Sequence, residues 1–365
     1  MILLVFRIFI FLLGGYLVII ALSSTIKSLV LPRSAPDQLT RLVFLLIRRL
    51  FMLRLRRVTL YHEKDHIMAF FAPISLLTLV PVWLALVLIG YTGMFWATGS
   101  KTLFQALQMS GSSLLTLGFA TTDSPWQTLL VYSEALIGLI LIALLIAYLP
   151  TMYSAFSRRE AAVTLLEVRA GQPPSAVEMI LRYNRIQGLD QLTELWRTWE
   201  AWFAEVEESH TSHPALCFFR SPQPDHSWVT AAGAVLDAAS LILSTVDVPN
   251  NPSAALCVRA GFLAFRHIVN YFDIPYNPSP YFPDIPISIT RQEFDEACEQ
   301  MSSNGIPLRP DRDQAWTDFA GWRVNYDSNL LALAAMTMAP EAPWSSDRAP
   351  KDIILPLLNR AKSFS

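Results

Sequence analysis

Two long uncharged stretches constrain this chain more than any other feature. Residues 67–100, IMAFFAPISLLTLVPVWLALVLIGYTGMFWATGS, contain no Asp, Glu, Lys or Arg. A helix needs about 20 apolar residues to cross the hydrocarbon of a bilayer, so this segment is long enough to span. Residues 135–157, ALIGLILIALLIAYLPTMYSAFS, are likewise uncharged and stop at Arg158-Arg159. The opening MILLVFRIFIFLLGGYLVIIALSS is a third candidate, interrupted by Arg7, in which Ala21-Leu22-Ser23 leaves a cleaved signal peptide as the alternative. With 53% hydrophobic and 16% charged residues, the composition points the same way, to an all-α membrane protein.

Charge divides the chain. Residues 1–159 carry 13 Lys+Arg against 5 Asp+Glu, and the remainder carries 15 against 25. The basic half suits anionic lipid headgroups, whereas the acidic half offers no electrostatic footprint for nucleic acid, which is set aside as a partner. Nine Lys and Arg lie within residues 24–66 and two more follow the last span, but only Lys101 lies between the spans. By the positive-inside rule both basic flanks are cytoplasmic. The expected location is the plasma (inner) membrane, with the first helix starting outside and the C-terminal domain in the cytoplasm. Cleavage of residues 1–24 would export the basic run, so a retained N-terminal transmembrane helix over 1–24 is expected, followed by a basic interfacial linker over 25–66. Within RLVFLLIRRLFMLRLRR, residues 41–57, Arg41, Arg48, Arg49 and Arg56 share one arc at 100° per residue, the pattern of a helix lying on anionic headgroups of the inner leaflet. A voltage sensor would need arginine at every third position and several preceding spans, and neither is present. Cys217, Cys257 and Cys298 are too few and too dispersed for a disulfide framework, and read as free thiols.

Residues 101–126, KTLFQALQMSGSSLLTLGFATTDSPW, separate the two confident spans and are too broken to be a third crossing. A short helix over 102–115 gives way to a glycine, threonines, an aspartate and a proline. Non-helical backbone at membrane depth persists only where it is buried in protein or lines water. A helix that dips in and returns as an extended segment meets that restriction, and its partly negative C-terminal end would favour cations.

The order span, reentrant helix, TLGFA, then a span with a glycine and a proline resembles the two-helix pore module of the potassium channel superfamily, whose filter reads TVGYG. The resemblance runs over residues 67–160. It implies an ion-binding filter at Thr116, Leu117, Gly118, Phe119 and Ala120, with Ser112, Ser113, Asp123 and Glu134 as its supports and Gly138 and Pro150 as gating positions. It further implies a homotetramer, because one loop per chain supplies only a quarter of a carbonyl ring, and a permeant potassium or other monovalent ion with no further cofactor. Two departures matter. Ala120 stands where the family has its second glycine, and a left-handed alanine costs roughly 1 kcal/mol or more. Phe119 lacks the hydroxyl of the family's tyrosine, leaving only apolar contact to brace the loop. Thr121 follows the filter directly, with Asp123 two residues later. Weakly selective monovalent conduction is therefore an alternative to potassium selectivity. Glu134 reads either as a filter support or as a headgroup-facing charge. Gly138 reads as a hinge or a close-packing site, and Pro150 removes one helical hydrogen bond.

Residues 161–365 read as an all-α cytoplasmic domain, with apolar residues at helical spacing in five segments. Asp237 interrupts one apolar run, and Arg259, Arg266 and His267 another, so both are expected to be core helices rather than spans. Thr290 and Glu293 in TRQE form a capping box. The segment PYNPSPYFPDIP is an extended connector, and Trp196, Trp199 and Trp202 are core positions on one helical face. No glycine fingerprint of a nucleotide-binding module occurs. His210, His213 and Cys217 are close in sequence but lack a fourth metal ligand, so no metal site is expected. Arg220, Asp225, His226 and Ser227 read as a turn-rich surface or as a site for a phosphorylated ligand. No catalytic residue is assigned. The rival functions are a non-conducting membrane scaffold or sensor, and a membrane-tethered enzyme with a site over residues 210–227.

Overall fold

The computed structural model describes residues 2–31 and 37–350. Thirteen α-helices account for most of the described residues, and the only β-pairing among them is an isolated bridge between Val246 and Leu308. Three helices are long and apolar enough to cross a membrane: Ile2–Leu29, Tyr61–Ala97 and Pro125–Ala170. This architecture is compatible with an all-α, multi-pass membrane protein. The chain forms two compact units, Met1–Val58 with Ala69–Ser154, and Thr59–Met68 with Ala155–Ser365.

The first unit is built on α1 (Ile2–Leu29), α2 (Gln38–Leu55), α4 (Phe71–Ala97), α5 (Leu103–Leu114) and the N-terminal part of α6 (Pro125–Ala170). Helices α1 and α4 meet glycine to glycine. A Cβ on Gly14 would lie 2.3 Å from the Gly90 carbonyl oxygen, and one on Gly90 would lie 2.6 Å from that of Gly14. Such small-residue crossings let helix backbones approach where no hydrophobic drive separates protein from lipid. Below the crossing, the Trp83 indole N–H donates to Ser24 Oγ at 2.9 Å. Ser24 Oγ in turn donates to the Asp37 carboxylate at 2.6 Å, and Asp37 caps α2 by accepting from Thr40 N. Helix α2 then lies on α4 through Phe44 and Phe51, both edge-on to Phe71.

In the second unit, α3 (Tyr61–Ala69) and the C-terminal part of α6 join α7 (Ala176–Arg185), α8 (Leu192–Ser212), α9 (Trp228–Ser244), α10 (Pro252–Tyr271), α11 (Arg291–Ser303), α12 (Arg312–Arg323) and α13 (Asp327–Thr337). Helix α9 is apolar on all sides because it is surrounded: nearly every residue is buried. Trp196, Trp199 and Trp202 line the buried face of α8. Gly261 on α10 admits Leu236 and Phe203, which would lie 2.5 Å and 3.0 Å from a Cβ there. At the centre, Arg323, fully buried, bonds Asp237 on α9, Asp327 at 2.7 Å and the Trp344 carbonyl at 2.6 Å. Tyr326 Oη donates to Asp237 at 2.9 Å. Burial opposes the Arg323 charge, but Asp237 and Asp327 outweigh it and hold the guanidinium above its usual pKa, while burial pushes the Asp237 carboxyl up. Asp237 is thus the polar anchor of the most apolar helix of this unit. The Thr290–Glu293 capping box is formed at the start of α11.

Candidate functional site

The segment between the second and third candidate spans folds as α5, a turn and an extended return. Thr102 caps α5 by accepting from Gln105 N at 3.1 Å, and the helix ends at Leu114, after which Leu115 and Thr116 close its last turn. Twelve residues give a helix of about 18 Å, too short to cross the hydrocarbon. The return hangs on Ser112. Its carbonyl accepts from Leu117 N at 2.8 Å and from Gly118 N at 3.5 Å, and its hydroxyl accepts from Ala120 N at 3.1 Å. Thr116, Leu117, Gly118 and Phe119 are all exposed in the single chain.

Strain falls elsewhere than the sequence suggests. Left-handed φ occurs at Gly118 (74°) and at Thr116 (54°), whereas Ala120 does not adopt it. The conformational cost expected at Ala120 is carried instead by the β-branched Thr116, at roughly 1–2 kcal/mol. The glycine in TLGFA sits where its freedom is used.

Around the loop, the hydroxyls of α5 tie it to α6. Ser113 Oγ donates to the Val131 carbonyl at 2.7 Å, and Ser110 Oγ donates to Glu134 Oε1 at 2.5 Å. Glu134 is fully buried, so it is a strut between α5 and α6 rather than a headgroup-facing charge. Gly138 is a close-packing site: a Cβ there would lie 2.3 Å from the Leu114 carbonyl oxygen. Asp123 is exposed and makes no hydrogen bond or ion pair with the described residues, so the expected support at that position is not formed among them. The end of the loop that leads into α6 is braced by Gln127, a residue that no local sequence pattern marks. Its side chain accepts from Thr122 Oγ1 at 2.6 Å and donates toward the Phe95 carbonyl at 3.3 Å. Ser110 is likewise absent from the expected supports, although a serine run at 110, 112 and 113 opposite a lone carboxylate is the pattern that signals such a tie. Pro150 lies exposed inside α6, which continues helical past it to Ala170.

In the second candidate region, residues 210–227, His210, Cys217, Arg220 and Ser227 serve the fold. His210 is buried 3.0 Å from the guanidinium of Arg159, itself buried and donating to the carbonyls of Leu216 and Phe219 at 2.8 Å and 2.7 Å. Burial and that cation push His210 well below its usual pKa, so its ring is neutral. Cys217 is buried, which pushes its thiol up to about 12. Among the described residues no group of three His, Cys, Asp or Glu has metal-binding geometry. Ser227 caps α9 by accepting from Val229 N. Arg220 pairs with Asp65 on α3, and its terminal nitrogens also donate to Tyr61 Oη and to the carbonyls of Thr337 and Met338. Its four terminal N–H donors are therefore spent inside the fold, leaving none of them for a phosphate.

Among the described residues these features define an all-α chain with three candidate membrane-spanning helices and, between the second and third, a short helix followed by a loop hung on Ser112. No protein-family model, curated protein or solved structure matches the chain.

Proposed function

We propose that the chain is one subunit of a homotetrameric, potassium-channel-like monovalent cation channel with its filter at residues 116–120. The observation that carries this reading is the loop itself. A helix too short to span, set between two that are long enough, returns through exposed backbone held by Ser112. Exposed non-helical backbone at membrane depth is unstable in lipid, so it must line water or meet other copies of the chain. Helix α6 supplies a seam for such copies. Leu136, Ile140, Ala143 and Ala147 are uncovered at alternating spacings of four and three residues, the repeat that parallel helices use to pack. Four loops around one axis would offer the carbonyls near Thr116, Leu117 and Gly118 to a dehydrated ion, while the C-terminal ends of α5 stabilise it. The exposed Phe119 then braces the loop through apolar contact with a neighbour. Because Glu134 and Gly138 lock α6 to α5, bending of α6 is assigned to the helix beyond them, near Pro150.

Membrane placement follows the same reading. Helix α2 exposes Leu42, Leu46, Leu50 and Leu53 in one stripe, beside the exposed Arg49 and Arg56. That pairing suits a helix lying in the inner leaflet with its arginines on anionic headgroups. With the basic flanks inside, the protein is a multi-pass plasma-membrane channel whose second unit is cytoplasmic.

Proteoliposome flux of K⁺, Rb⁺ and Na⁺ tests the proposal. The native chain is expected to pass monovalent cations, with Ala120→Gly moving the ratios toward potassium. Absence of flux under every condition would instead favour the scaffold or sensor reading, and unchanged ratios would remove Ala120 from the account of selectivity.

A further inference from the structure

The strongest unassigned feature lies in the second unit, beside the attachment of α3. A cavity of about 280 Å³ is lined by Tyr61, Gln172, Pro173, Asp225, Pro340 and Glu341. Pro340 also borders a recess of about 20 Å³, room for one small polar group, whose walls include Ser221 and His226. Both side chains are more than nine-tenths buried, and both carry a polar atom, Ser221 Oγ and His226 Nε2, without a hydrogen-bond partner. The nearest charge to that ring nitrogen is the Glu167 carboxylate at 3.3 Å. Buried polar atoms are normally satisfied, and leaving one unpaired costs roughly 1–3 kcal/mol. Ser221 Oγ is such an atom, and with His226 Nε2 facing only the Glu167 carboxylate it leaves hydrogen-bonding capacity beside the larger open cavity.

Charge selects the class of ligand. Arg220 is the cation nearest this recess, and its terminal donors are consumed by Asp65, Tyr61 and two backbone carbonyls. The side chains free at the cavity mouth are the exposed carboxylates of Asp225 and Glu341, beside the ring of Tyr61. Two carboxylates and an aromatic ring attract a cation and repel an anion. Ser221 and His226 provide hydrogen-bonding capacity in the adjoining recess, across the shared Pro340.

We propose that this cavity binds a small organic amine, its ammonium group between Asp225, Glu341 and the Tyr61 ring and its other polar end at Ser221 and His226. Tyr61 belongs to α3 and accepts from Arg220 at 3.2 Å while donating to the Met338 carbonyl at 3.2 Å. A bound amine therefore steadies the attachment of α3, the helix that leads directly into α4. This site is independent of whether the first unit conducts ions.

The experiment is equilibrium binding of radiolabelled putrescine and ethanolamine to the full chain in detergent, with 1,4-butanediol as uncharged competitor. Hydrogen exchange of residues 61–68 is measured with and without amine. The proposal expects saturable amine binding that butanediol fails to displace, at least tenfold weaker binding in the Asp225→Asn/Glu341→Gln double variant, and slower exchange in α3. Both substitutions are at exposed positions, so the variant folds as the parent does; Ser221→Ala should weaken binding as well. No saturable binding of either amine, equal affinity in the double variant, or displacement by butanediol would each overturn it.

Discussion

Replacing Gly138 by alanine decides between a hinge and a packing role for the glycine of α6. The added Cβ would lie 2.3 Å from the Leu114 carbonyl oxygen and 3.3 Å from its carbonyl carbon, where ordinary contact begins near 3.4 Å. An overlap of about 1 Å with backbone cannot be relieved by a rotamer change, so α5 and α6 must separate. Overpacking of this kind costs about 1–3 kcal/mol, here toward the upper end. Alanine recovers about 1 kcal/mol of helix propensity over glycine. The net loss is about 2 kcal/mol, or about 30-fold in the folding equilibrium. Because Leu114 ends α5 and the loop follows within two residues, the same movement shifts the Ser112 tether. SDS denaturation of the full chain should show the loss, with Gly15→Ala as control, since nothing lies within 4 Å of a Cβ there. Gly138→Ala as stable as the parent, with altered flux alone, would refute the close approach and restore the hinge.

Three further outcomes follow. Ser112→Ala removes the acceptor for Ala120 N–H at a cost of about 1 kcal/mol; the K⁺/Na⁺ flux ratio should fall while the chain stays folded, and an unchanged ratio would mean that the tether does not shape the loop. Arg323→Met leaves Asp237 buried without its cation, at about 3–5 kcal/mol. Burial raises the folded pKa of Asp237, so the variant loses stability as pH rises through that value, and thermal melts should improve toward acid and on adding Asp237→Asn. Glu293 is held at about 2 chiefly by Arg348, below its ordinary 4.5, so its contribution is present above pH 4.5 and lost as pH falls toward 2. Glu293→Gln should accordingly melt below the parent at neutral pH, and the two curves should converge across that acid window.

Segment-level features were legible because they depend on neighbours along the chain. Uncharged length marks a candidate span, spacing places Trp196, Trp199 and Trp202 on one face, and Thr290 with Glu293 starts a helix wherever the chain goes next. The break after Leu115 could be read because glycine and proline act locally on the backbone. The quality of contacts between segments could not be read in this way. Glu134 was open between water and a support role until α5 brought Ser110 within 2.5 Å. Gly138 was open between bending and packing until the Leu114 carbonyl was found against it. Residue type points to strain at Ala120, yet the fold puts it on Thr116, since hydrogen bonds to Ser112 set where the backbone must turn. Nothing local singles out Arg323, but meeting Asp237 across 86 positions of chain makes it the polar centre of the second unit. Local preference acts over a few residues and is written in order. Desolvation, close approach and orphaned polar atoms arise only when distant residues share a volume, and so they belong to the tertiary structure alone.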